Sequence, residues 1–192
     1  MPTIEEHPLK PFLPHNAKVL MLGSFPPQQK RWSMNFFYPN FQNDMWRIMG
    51  AIFFADKHIF VDSSKKCFRQ GDIERFAAEV GIALYDTAEA VHRLRDNASD
   101  NFLEIVRPTQ IEELLCQLPS CRAIVTTGEK ATNEIALRYK TPKPKMGECE
   151  PLVIGGQTLQ FYRMPSTSRA YPLPLDKKVS YYHTLFKELK LV

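Results

Sequence analysis

The stretch Lys18-Val-Leu-Met-Leu22, running straight into Gly23-Ser24-Phe25-Pro26-Pro27, decides how this chain is read. From Val19 to Leu22 no polar residue intervenes, so the run matches a strand buried on both faces rather than one with a wet side. Strands of that kind belong to parallel sheets covered by helices. Glycine at the strand's end then lets the backbone approach a ligand closely, and the two prolines set the loop's shape in advance.

Working outward, Ile82–Tyr85, Arg122–Thr127 and Gln157–Met164 read as three further strands. Helices are predicted from near Asn43 or Asp44 through Trp46, Ile48 and Met49, then over Asp72–Val80, Thr109–Leu118 and Glu129–Tyr139. A last amphipathic helix, Asp176–Leu191, carries Val179, Tyr182, Leu185, Phe186 and Leu189 at helical spacing. The expected architecture is a three-layer α/β/α sandwich with a central, mainly parallel four-stranded sheet, in one domain spanning residues 1–192. Residues 1–16, with prolines at 8, 11 and 14, read as an extended arm on the surface. The polar, basic stretch Ala55–Gln70 reads as a loop or lid, and Tyr139–Lys145 as a proline-stiffened linker.

Composition narrows the class. With 192 residues, 44% hydrophobic and 24% charged, the chain is globular and buries a core without disulfides or metals. It has no apolar run of the roughly 18–20 residues a membrane span requires, and its polar, acidic start is unlike a signal peptide. A cytoplasmic monomer is expected, with no membrane partner. The net charge of +4 is compatible with a polyanionic partner without requiring one. Cys67, Cys116, Cys121 and Cys149 form no C-x-x-C pair, and the five histidines show no ligand spacing, so neither a metal nor another cofactor is expected.

In open α/β sheets ligands bind beyond the carboxyl ends of the strands. Two loops of unusual composition fall there: Gly23–Pro27, and Pro165-Ser-Thr-Ser-Arg-Ala170. Phe25, Phe36, Phe37 and Tyr38 offer flat faces for stacking on a planar base, or else core. Ser166, Thr167 and Ser168 offer hydroxyls and amides to phosphate oxygens, with Arg163 and Arg169 beside them. Lys65-Lys66, Lys143–Lys145 and Lys177-Lys178 would extend a phosphate track, or are solvated surface. Asp86 ends the second strand on the ligand side, where it could hold a water.

Leu20-Met-Leu-Gly-Ser-Phe-Pro-Pro27, followed by Phe36-Phe-Tyr-Pro-Asn-Phe-Gln-Asn-Asp-Met-Trp46, resembles the first motif of the uracil-DNA glycosylase superfamily. Met164-Pro-Ser-Thr-Ser-Arg-Ala170 is similar to its Pro-Ser-x-x-Ser loop, and Gly81–Asp86 and Val125–Ala131 fit the layout between. The resemblance runs from about Pro8 to Leu189 and is closest to the mismatch-specific and hypoxanthine branches. It implies a monofunctional DNA glycosylase of base excision repair, acting on DNA with a damaged or mismatched base. That base, hypoxanthine or uracil, is flipped into a pocket and its N-glycosidic bond hydrolysed.

By that resemblance Gly23, Ser24, Phe25, Pro26, Tyr38 and Asp86 form the base pocket. Pro165, Ser166, Thr167, Ser168, Arg169 and Tyr171 grip the DNA, with Arg169 or Tyr171 wedging the gap. Most branches carry Asp, Asn or Glu third in the first loop, where this chain has Phe25. The hypoxanthine branch relies instead on an asparagine further along, which makes Asn43 the first catalytic candidate and Asn40 the second. Asn43 also fits a helix cap. Two other readings stay open: a non-catalytic member that binds DNA or a nucleotide, and a flavodoxin-like small-molecule binder sharing only the layers.

Overall fold

Every residue of Val19–Gly23, Ile82–Asp86 and Ala123–Thr127 is buried, and these strands meet in the middle of the molecule. The computed structural model describes residues 3–94 and 102–192. Its elements run β1 (Ile4–Glu6), β2 (Val19–Gly23), α1 (Met45–Phe54), β3 (Val61–Asp62), β4 (Cys67–Phe68), α2 (Gln70–Val80), β5 (Ile82–Asp86) and β6 (Ala88–Arg93). They continue with β7 (Leu103–Pro108), α3 (Ile111–Cys116), β8 (Ala123–Thr127), α4 (Glu129–Arg138), β9 (Cys149–Ile154), β10 (Gln157–Met164) and α5 (Leu175–Glu188).

The main sheet has five strands in the order β5-β2-β8-β10-β9, not four. The four expected strands are all there and parallel. The fifth, β9, is antiparallel and turns into β10 through Gly155-Gly156. Both glycines have positive φ, 56° and 81°, as a two-residue hairpin demands. Pro151 disguises β9 in the sequence, and a proline is tolerated at the sheet edge that β9 forms.

Alternation along β8 fixes the layers. Thr126 Oγ1 lies 2.8 Å from Thr132 Oγ1 of α4, so that side chain faces α4. Its neighbour Thr127 turns to the opposite face, toward Tyr38, whose ring packs on Trp46 of α1. Phe53 of α1 then meets Phe76 of α2 at 5.0 Å and Phe186 of α5 at 5.3 Å, which gathers α1, α2 and α5 on one side. On the other side Arg138 of α4 reaches Thr109 and Gln110 at the start of α3.

Two regions depart from expectation. Residues 4–6 pair with β6 in a second sheet of order β1-β6-β7, and Phe12 bridges Leu84, closing the open edge of β5. Leu9, Phe12 and Leu13 pack on the core, so the arm is tied down rather than laid on the surface. Within Ala55–Gln70, the β3–β4 hairpin buries Phe60, Val61 and Phe68. Among the described residues no helix is long and apolar enough to cross a membrane.

Candidate active site

The parallel register brings Gly23, Asp86, Thr127 and Met164 to the same level at the carboxyl edge of the sheet. Above that edge the loops after β2 and β10 and the segment Phe37–Asn43 enclose a cavity of about 280 Å³. Gly23, Ser24, Phe25, Pro26, Tyr38, Asn40, Asn43, Asp86, Ser166, Thr167, Ser168 and Arg169 all line it. Pro165 and Tyr171 do not. The Pro165 carbonyl accepts the buried Tyr182 hydroxyl at 2.8 Å and so anchors the loop from below. Arg31, Gln42, Arg93 and Thr127 also line the cavity, and none of them stood out in the sequence.

Asp86 is buried and its Oδ2 lies 2.9 Å from Nε2 of His7. The His7 side chain is 2% exposed and stands against Tyr85, Phe25 and Phe37, with ring centroids at 4.6, 5.3 and 6.3 Å. Seventy-nine residues separate the pair, and no local pattern in the arm distinguishes His7 from an ordinary histidine. Gly23, the sheet partner of Asp86, is where it is for lack of a side chain: a Cβ there would stand 2.4 Å from Asp86 Oδ1.

Tyr38 adopts φ +52°, an uncommon conformation for a bulky residue. Its hydroxyl meets Thr127 Oγ1 at 3.0 Å, and its ring meets Trp46 edge-on. These contacts hold the strained backbone in place. Burial, joined by the charge of Asp86, holds the Tyr38 phenol above its usual range against the smaller opposing effect of the Thr127 hydrogen bond. Tyr38 therefore enters the site as a neutral O–H.

Asn43 lines the cavity and also caps α1, its Oδ1 accepting the Met45 N–H at 2.9 Å. That contact orients the side chain and leaves its amide NH₂ without a hydrogen-bond partner among the described residues. Asn40 works similarly one turn earlier: its Oδ1 accepts the Gln42 N–H and its carbonyl accepts the Asn43 N–H.

Phe25 is 7% exposed and packs into a small apolar cluster with Ala88, Val91 and Leu103. It contributes to the cavity lining, with the Arg93 guanidinium 6.0 Å over its ring centroid. Phe36, expected among the stacking rings, is core against Phe12 and Trp46 and does not line the cavity.

The Pro165–Ala170 loop is held by a buried charge cluster. Asp44 takes Arg169 Nε at 3.1 Å on Oδ1 and Lys178 Nζ at 3.0 Å on Oδ2. Lys178 also donates to the Ser168 carbonyl at 2.8 Å, and the Asp44 N–H donates to the Thr167 carbonyl. Lys178 is 1% exposed and cannot extend a phosphate track as Lys177-Lys178 was expected to do. Lys143 is likewise engaged, by Glu129 and Asn133. Arg93 spends its guanidinium on Glu5 and the Pro26 carbonyl, tying the β2 loop to β1. Arg31 is exposed at the cavity's rim, with Arg169 half-exposed on the opposite loop.

Chemically, the cavity combines one carboxylate, an amide donor, aromatic walls and two accessible guanidinium groups. Among the described residues no three His, Cys, Asp or Glu side chains converge as a metal site would need. The chain has a uracil DNA glycosylase-like fold. It superposes on the solution NMR structure of a putative uracil DNA glycosylase from Methanosarcina acetivorans with a TM-score of 0.63. The match covers 98% of this chain and 99% of that one at 22% identity, which makes it a likeness of fold. No protein-family model and no curated protein matches the sequence. The uracil DNA glycosylase-like fold is the one the two sequence motifs led us to expect, with its fifth strand and its second sheet added.

Proposed function

We propose that this protein is a DNA glycosylase that takes a deaminated base, hypoxanthine or uracil, flipped out of DNA and hydrolyses its N-glycosidic bond. The observation that carries this reading is convergence: the two loops singled out by the resemblance border one cavity, although 137 residues lie between Pro27 and Pro165 in the chain. Phe25 and Tyr38 give the cavity an aromatic lining suited to a flat base. In the reaction the C1′–N bond breaks, water supplies hydroxide to C1′, and the base leaves with the electron pair and then takes up a proton. Negative charge grows on the base and positive charge on the sugar, so donors aimed at the base and a fixed water lower the barrier. The amide donor of Asn43 is suited to the first task. Arg31 and Arg169 suit the flanking phosphates. Arg169, held by Asp44 through Nε, is a clamp in this reading and not a wedge.

The test is strand cleavage by alkali after incubation with labelled strands carrying hypoxanthine or uracil. Asn43→Ser keeps a capping oxygen for Met45 but withdraws the amide donor. Its melting temperature should stay close to wild type while base release falls about 10²-fold, the usual cost of one transition-state donor. An unchanged rate, with the melting temperature also kept, would reduce Asn43 to a cap. Binding without release by the wild type would instead favour the non-catalytic reading, which the apolar Phe25 at the usual water-handling position supports. For the phosphates, Arg31→Ala is expected to lower the slope of log affinity against log salt by about one. An unchanged slope, measured by fluorescence anisotropy, removes Arg31 from the DNA interface.

A further inference from the structure

We infer that Arg47 is a positioning residue of this site: it fixes the peptide group joining Asn43 to Asp44, and through it the direction in which the Asn43 amide points. This rests on the reading of Asn43 as the donor aimed at the leaving base. Arg47 lies in the first turn of α1 and is 6% exposed. Its Nη1 donates to the Phe41 carbonyl at 2.8 Å and to the Asn43 carbonyl at 3.0 Å. The N–H of the same Asn43–Asp44 peptide donates to the Thr167 carbonyl at 2.9 Å. One flat peptide group is therefore held at both polar ends, by α1 on one side and by the Pro165–Ala170 loop on the other. The preceding peptide is held too, since the Asn43 N–H donates to the Asn40 carbonyl at 2.8 Å. With both planes fixed the Asn43 Cβ has one direction, and the contact of Oδ1 with the Met45 N–H settles the rest of the side chain.

Stability does not explain an arginine here. The guanidinium stands over the rings of Phe41 at 4.8 Å and Phe68 at 5.1 Å, and the two rings meet at 5.4 Å. An apolar side chain of similar length would fill that space without desolvating a charge. Among the described residues no carboxylate is hydrogen-bonded to Arg47. Its neighbour Asp44 spends one oxygen on Arg169 and the other on Lys178.

What arginine adds is a rigid fork. One terminal nitrogen carries two N–H groups in the plane of the guanidinium, and rings against that plane keep it from turning. Phe68 comes from β4, which gives the β3–β4 hairpin a part in the site although it does not line the cavity.

Arg47→Met keeps the length and the contact with both rings and removes the two donors. Its melting temperature should stay near that of the wild type. Its affinity for strands carrying uracil or hypoxanthine on 2′-fluoroarabino sugars, whose fluorine blocks bond cleavage, should change by less than about twofold. Single-turnover release of base from ordinary strands should fall about 10- to 100-fold, the scale of a displaced reacting group. Arg47→Lys, which returns a donor, should recover part of that loss. In an Asn43→Ser background Arg47→Met should cost less than about twofold more, because the group it positions is already gone. A readout free of hydrolysis comes from amide proton–nitrogen correlation spectra. The side-chain NH₂ pair of Asn43, identified as the pair that Asn43→Ser deletes, should shift or broaden in Arg47→Met. If Arg47→Met does not fold, Arg47→Lys is read in both backgrounds in its place. An unmoved Asn43 pair overturns the inference, as does an unchanged rate or the same loss in both backgrounds. If the wild type releases no base, hydrolysis is refuted, and the Asn43 pair alone decides whether Arg47 orients it.

Discussion

Asp44→Ala should destabilise the protein by about 3–5 kcal/mol, the largest single loss we expect from a side chain of the site. Removing this carboxylate leaves Lys178, 1% exposed, with a buried charge and only the Ser168 carbonyl as partner. Breaking one side of a buried pair costs far more than the pair itself contributes, because the desolvated partner stays behind. For a chain of this length the loss lowers the melting temperature by on the order of 10 °C. Lys178→Met should cost less, since Asp44 keeps Arg169. Urea unfolding of both variants and the double variant measures the coupling. An Asp44→Ala loss under about 1 kcal/mol would mean that the cluster is solvated and does not clamp the loop.

Gly23→Ala should have the opposite profile, with activity lost and the fold kept. Gly23 has no positive φ, so alanine is allowed by the backbone. The difficulty is the added Cβ, 2.4 Å from Asp86 Oδ1 on the neighbouring strand. The carboxylate must swing aside, away from His7 Nε2 and from its place in the cavity. Displacements of about 1 Å at a reacting centre cost on the order of 10² in rate, whereas accommodating one methyl costs about 1–3 kcal/mol in stability. Single-turnover base release and a melting curve on the same sample check both halves. Full activity in Gly23→Ala would show that the position of Asp86 does not matter to the chemistry.

The fold was legible where burial acts through local pattern. Apolar runs marked β2, β5 and the start of β8, and Gly23 and Gly128 marked the ends of β2 and β8. What the pattern hid were elements whose partners are remote. β1 is three polar-flanked residues that become a strand only against β6, and Pro151 keeps β9 from reading as a strand. The candidate site divides in the same way. Gly23–Pro26 and Ser166–Arg169 announced themselves by composition, because loops that approach a ligand need glycine, proline and hydroxyls in unusual density. His7 carries no such mark, since its meaning comes from a contact with Asp86 that only the folded arm creates. Lys178 misled for a related reason: beside Lys177 it reads as surface, and only Asp44 across the fold explains its burial.

The most direct test is to find the product. Wild-type protein in excess is incubated with strands carrying uracil or hypoxanthine, and the small-molecule fraction is analysed by mass spectrometry. A glycosylase releases free uracil or free hypoxanthine, matched mole for mole by abasic strand. Intact strands and no free base, under conditions where the protein binds them, would contradict that activity.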